Sequence, residues 1–202
     1  MKKTMQEQGI QFQACRENVL NVLKEGLSPK LTYHTVGHIL DVEESVIRIA
    51  GRMSVAEDQM LLLRTAALIH DIGFIYTYAG HEAKSCEMAG ELLTPYGYTD
   101  EQLTKICSMI MATKIPQDPK NILAEILADA DLDYIGRDDY ESISETLFQE
   151  MKTYGFLKTR QDWLRVQINF LRNHHYHTEW SKKHRAPQKA KVLRQLESQF
   201  SE

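Results

Sequence analysis

Residues 119–135 read PKNILAEILADADLDYI. At helical spacing Ala124, Leu127, Ala128, Asp131 and Ile135 fall on one largely apolar face. Asn121, Glu125, Asp129 and Asp133 fall on another, which reads as the solvent side. Asp131 is then a lone carboxylate in a buried stripe. Burying an unpaired carboxylate costs several kcal/mol, so Asp131 needs a cation or a hydrogen-bond donor. A core aspartate bonded to backbone or to an arginine and a metal ligand are the two alternatives at this point.

Working outward, residues 61–74, LLLRTAALIHDIGF, place His70 on a face with Leu63, Ala66 and Ala67. The alanines leave room for another element to approach. Asp71 diverges from His70 by about 100° around a helix, so both reach one ion only near the helix end. Gly73 reads as supplying that end. Further upstream, YHTVGHILDVEESVIRIAGRM (33–53) aims His38 along a stripe with Val42, Ser45, Val46, Ile49 and Met53. His34 lies one turn earlier, on the same side if the turn is helical. A cap or a satisfied core histidine is the alternative for this pair. An imidazole and carboxylate set suits a divalent transition metal, namely manganese, iron, cobalt, nickel or zinc, with magnesium as an accompanying candidate.

The rest of the chain is consistent with helices alone. Only 10 glycines and 5 prolines interrupt its 202 residues, and no strand-like alternation persists. Helices are expected over 11–26, 36–53, 56–72, 80–96, 99–113, 119–135, 138–154, 159–175 and 181–200. Thr99 and Gln102 look like a capping box, Pro119 suits a first turn, and Asp138 is a candidate cap. The expectation is one all-α domain over 1–202, a bundle of about eight or nine helices. Its motif-bearing core is about 33–135, and helices over 138–200 complete it.

Composition narrows the partners. Hydrophobic residues are 43% and charged residues 26%, a globular balance, and the net charge of −4 calls for neither nucleic acid nor an anionic membrane. MKKTMQEQGIQFQ has no apolar run after its lysines, so it does not read as a secretory signal. Cys15, Cys86 and Cys107 form no CxxC pair and read as small buried residues in a reducing cytoplasm.

Three segments thus aim ligand-type side chains from apolar faces in the order His, His-Asp, Asp. That order resembles the HD superfamily of metal-dependent phosphohydrolases. YHTVGHILDV is similar to the opening of cyclic-nucleotide phosphodiesterases, ALIHDIGF to the central HD helix, and LADADLDYIG to the later aspartate helix. The resemblance implies an all-α HD bundle with His38, His70, Asp71 and Asp131 as metal ligands. It implies His34 as general acid, with Asp71 also orienting the attacking water. The substrate would be a nucleotide or another small phosphate ester. Where many members carry HDIGK, this chain has Phe74 in place of the lysine. Where binuclear members bring another histidine, it has Thr113, so one ion is expected rather than two.

His81 is open to three readings: a second-ion ligand, a substrate-phosphate contact or a helix cap. Lys114 and Arg137 are candidate phosphate partners beside the motifs, or solvated charges. His174, His175 and His177 could bind metal, or simply end a helix before a basic segment. That segment has six positive charges within Lys182–Arg194, which could face an anionic ligand or a second subunit of a homodimer. The alternatives to phosphoester hydrolysis are a metal-bound nucleotide sensor without turnover and, if two ions bind, a non-hydrolytic enzyme such as a di-iron oxygenase.

Overall fold

The computed structural model describes residues 9–200, with the side chain of Phe200 excepted. The N-terminal stretch expected to lack a secretory signal falls mostly outside them. The described residues contain ten α-helices and no strand. They are α1 (Phe12–Gly26), α2 (Val36–Arg52), α3 (Glu57–Ile69), α4 (His81–Leu93), α5 (Asp100–Met111), α6 (Ile122–Asp131), α7 (Tyr140–Thr153), α8 (Arg160–Asn173), α9 (Glu179–His184) and α10 (Ala186–Phe200). Among the described residues no helix is long and apolar enough to cross a membrane.

α3 is the central helix. Its residues Thr65 to Ile69 are all buried, and it touches α1, α2, α5 and α6. Ala66 and Ala67 have no exposed surface, which is how α2 comes close enough to face its histidine toward His70. The caps are local. Thr99 and Gln102 do form a capping box at α5, and Thr159 with Asp162 forms another at α8. Asn121, not Pro119, starts α6, its side chain accepting from the Leu123 and Ala124 amides. Asp138 makes no cap: α7 starts after Asp139, without a side-chain hydrogen bond.

Four expected helices are shorter because the chain turns tightly or breaks within them. α3 stops at Ile69 and a 3₁₀ turn over Ile72–Ile75 follows. Similar turns occupy Thr94–Tyr96 and Asp133–Gly136. The expected 181–200 helix is broken at Arg185 into α9 and α10. There the chain crowds Gly136, where a Cβ would lie 2.6 Å from both Arg185 and the Tyr176 hydroxyl.

The core has two parts. α1 to α6 enclose a continuous apolar cluster that includes Val19, Leu23, Val46, Ile49, Leu63, Leu68, Met109 and Leu127. A second, aromatic cluster of Tyr33, Tyr134, Tyr140, Leu171 and Tyr176 joins the 33–35 loop to α7, α8 and α10. A cavity of about 300 Å³ opens between the ends of α3 and α5 on one side and α7 and α8 on the other.

The polar face expected on α6 is not one. Asp129 has no exposed surface and Asp133 only 1%. Asp129 accepts from the His177 amide, the Thr178 amide and the Thr178 hydroxyl, all at 2.7–2.8 Å. Asp133 is held by Arg48 at 2.6 Å and Arg185 at 2.7 Å. The C-terminal helices therefore cover the side of α6 that periodicity assigned to water. Sequence spacing finds faces but not which face a later segment will cover.

Candidate metal centre

His38, His70, Asp71 and Asp131 converge at one end of the central helices. Thr35 caps α2 by accepting from the His38 amide, which sets His38 on the first turn. His70 ends α3, and its Nδ1 bonds to the Ala67 carbonyl at 2.8 Å. That bond makes Nδ1 the donor and leaves the Nε2 lone pair free, the arrangement of a ligand imidazole. Ser85 of α4 donates to the His70 carbonyl and accepts from the Gly73 amide, so the end of α3 is pinned by a neighbouring helix.

His38 Nε2 lies 3.4 Å from Asp71 Oδ2 and 3.2 Å from Asp131 Oδ1. His70 Nε2 lies 3.2 Å and 3.3 Å from the same two oxygens. The four atoms close a ring in which nitrogen and oxygen alternate. Two ligands that share an ion at about 2.0–2.2 Å are separated by roughly 3.0–3.5 Å. His38, His70 and Asp71 are also the group of described residues whose ligand atoms all lie within 4.8 Å of one another.

The chemistry of these atoms tests the fit. His38 Nε2, His70 Nε2 and Asp71 Oδ2 are buried and have no hydrogen-bond partner in the protein. Orphaned buried polar atoms are costly, and three aimed at one point require an occupant. Burial alone would lower the His38 imidazole, but Asp131 and Asp71 hold it at about 9. The same two carboxylates raise His70 against its burial. Burial would raise Asp71 and Asp131, and the imidazoles hold both well below the usual carboxylate range. The donor set thus demands positive charge at its centre, as protons or as a cation, and these residues fit a divalent metal ion.

His34 and His81 flank this ring. Both imidazoles stack on the ring of Phe74, at centroid distances of 4.1 Å and 3.9 Å. Phe74 therefore positions two histidines. His81 Nε2 is 3.3 Å from Asp71 Oδ1, the oxygen turned away from the ring of ligands. Gly73 makes this possible: a Cβ there would lie 2.1 Å from the His81 carbonyl oxygen. Gly73 serves this close approach, and α3 has already ended before it, at Ile69.

His34 is held by a residue that sequence reasoning missed. Glu150 on α7 is fully buried. Its Oε2 accepts from the Tyr33 amide at 2.8 Å and the His34 amide at 3.0 Å. Its Oε1 accepts from Tyr78 Oη at 3.0 Å and pairs with His34 Nδ1. Burial would raise the Glu150 carboxyl, but the His34 ring and these amides hold it below its usual range. A signal existed: Ile143, Leu147, Glu150 and Tyr154 fall at helical spacing on one face, the same pattern that singled out Asp131.

Two candidates stand apart. Arg137 gives its fork to Asp41 at 2.7 Å and Asp139 at 2.9 Å, and lies outside the cavity wall. Lys114 is exposed, between Thr113 and Ile115, which do line the cavity. His174, His175 and His177 offer no second cluster of metal-ligand atoms among the described residues.

Residues 35–133 match the HD domain model. The chain carries an HD domain. Its fold is also similar to the crystal structure of a predicted HD superfamily hydrolase from an uncultured Thermotogales bacterium. That likeness has a TM-score of 0.54 and 23% identity, over 69% of this chain and 85% of the other. No curated protein matches the chain. The HD domain includes all four convergent ligands and ends two residues past Asp131, so Glu150 and the α7–α8 side of the cavity lie outside it.

Proposed function

We propose that this HD protein is a metal-dependent phosphohydrolase, acting on a nucleotide or another small phosphate ester. The observation that carries the reading is the pairing of a partnerless His/His/Asp cluster with a carboxylate-bound imidazole beside it. His38, His70, Asp71 and Asp131 would hold one divalent ion, of manganese, iron, cobalt, nickel or zinc. When bound, such an ion polarises a phosphoryl oxygen and lowers the pKa of water.

The chain's own residues do the rest. Asp71 turns one oxygen toward the ligand ring and the other toward His81, so it can orient water between them. His34, with Nδ1 held by Glu150, presents Nε2 as the proton donor to the leaving oxygen. Phe74 fixes the plane of that imidazole. His81, rather than Lys114 or Arg137, is the cavity residue suited to a phosphate oxygen.

The test is turnover of a panel of mononucleotides, cyclic nucleotides, dinucleotides and guanosine polyphosphates. Activity should vanish with a chelator and return with manganese or cobalt. Metal-replete protein that binds a nucleotide and turns over none of them is the sensor instead. An analysed content of two irons per chain would favour the oxygenase.

A further inference from the structure

The cavity beside the ligand ring has two unlike walls. One carries Asp71, Asp131, Glu82, His34 and His81. The other, from α7 and α8, is largely apolar, with Leu147, Met151, Trp163, Val166 and Phe170 among its residues. Among the described residues no lysine or arginine lines it. The nearest arginine in sequence, Arg137, is filled by Asp41 and Asp139. Three carboxylates line the cavity, and a fourth, Glu150, sits directly behind His34.

Charge then discriminates between substrates. A divalent ion balances two of these carboxylates, and His34 and His81 face the other two, Glu150 and Glu82, so little positive potential is left for anything else. A phosphate monoester is largely dianionic near neutral pH, since its second pKa is about 6. Polyphosphates carry more charge still. Sites that take such groups supply arginine or lysine for the extra charge, and this one has none to give. A phosphodiester carries a single charge and brings a second organic substituent that can cover the apolar wall.

We propose that the cavity selects a phosphodiester of single negative charge whose second substituent is apolar or aromatic, over monoesters and polyphosphates. The inference rests on the phosphohydrolase reading of the same centre. Gln167 is the amide on the apolar wall. Its Oε1 accepts from Tyr140 Oη at 2.6 Å and Ser144 Oγ at 2.8 Å, which fixes the amide and leaves its NH₂ as donor to an acceptor on the substituent. In the reaction, water oxygen bonds to phosphorus and the bond from phosphorus to the leaving oxygen breaks. The His34 proton goes to that oxygen, and the water yields its proton to solvent. The product is a monoester dianion, which the site holds less well than it held the diester.

Binding and turnover are measured separately on the metal-loaded full chain. Calorimetric titration with diphenyl phosphate, phenyl phosphate and inorganic pyrophosphate should rank them in that order, with roughly tenfold or more between the first two. In turnover, bis(4-nitrophenyl) phosphate should exceed methyl 4-nitrophenyl phosphate in kcat/KM, and both should exceed 4-nitrophenyl phosphate, although the leaving group is the same. Val166 is 37% exposed, so Val166→Lys can place a cation at the wall and should narrow the binding gap. Phenyl phosphate or pyrophosphate binding as tightly as diphenyl phosphate, or no binding by any of the three, overturns the proposal. Binding in the expected order without turnover of any ester leaves the ligand class standing and overturns the hydrolytic reading instead.

Discussion

The pair His34 and Glu150 makes the sharpest claim at the scale of single residues. His34→Ala should keep the metal, because His34 is outside the ring of ligand atoms, and should lower kcat by about 10²–10⁴-fold. The loss should shrink for an ester whose leaving group departs without a proton. Glu150→Gln should show the same leaving-group dependence with a smaller loss, since an amide can still accept from the two backbone amides. Elemental analysis beside the kinetics decides both. An emptied metal site in His34→Ala would make His34 a ligand. Asp131→Ala, by contrast, should remove most of the metal. Asp129→Asn should leave the metal per folded molecule unchanged and lower the melting temperature, because Asp129 serves Thr178 and His177. Equal metal loss in the two variants sinks the assignment. Asp131 is legible in the sequence because a carboxylate on an apolar stripe is costly. The burial of Asp129 and Asp133 is not, because what covers them comes from the His177–Arg185 stretch some fifty residues later.

Among the elements, the contact between the end of α3 and the start of α4 carries the most consequence. Gly73→Ala puts a methyl group into the His81 carbonyl, so backbone must move. The expected cost is more than about 2 kcal/mol, at the upper end for single substitutions, and His81 should lose its place beside Asp71. Thermal denaturation, with metal content measured on the same sample, checks it. Helices are readable from spacing at all nine expected places, with α9 and α10 read as one, and α5 also announces its cap. Helix ends are less readable. The turns after α3 and α6 follow directly on His70, Asp71 and Asp131, the residues that converge. The cysteines show the same limit: Cys86 and Cys107 are distant in sequence, yet each thiol faces the other's carbonyl across α4 and α5.

For the molecule as a whole, acid should weaken the fold through His174. Both its ring nitrogens are buried without a partner, and burial, with Lys189 nearby, pulls its pKa down to about 3. The unfolded chain takes up a proton at this residue near its ordinary value of 6.5. Between those values the unfolded state binds the extra proton, so stability is full above about pH 6.5 and falls as pH drops through that window. Melting temperatures at pH 7 and pH 5 should differ by several degrees more in the natural protein than in His174→Leu. An equal difference in both removes His174 as the cause. The reach of Glu150 to His34 has a consequence of another kind, for descent. The proposed metal ligands are carried by a module that can be inherited intact, whereas the carboxylate that pairs with the first histidine stands 116 residues away, in helices that module does not include. Chains could keep every signature residue of the HD domain and lose, gain or replace the support of the proposed proton donor by drift in the last third alone. Kinship measured on the domain would then group proteins by the ion they hold, while their chemistries diverge unseen in the tail.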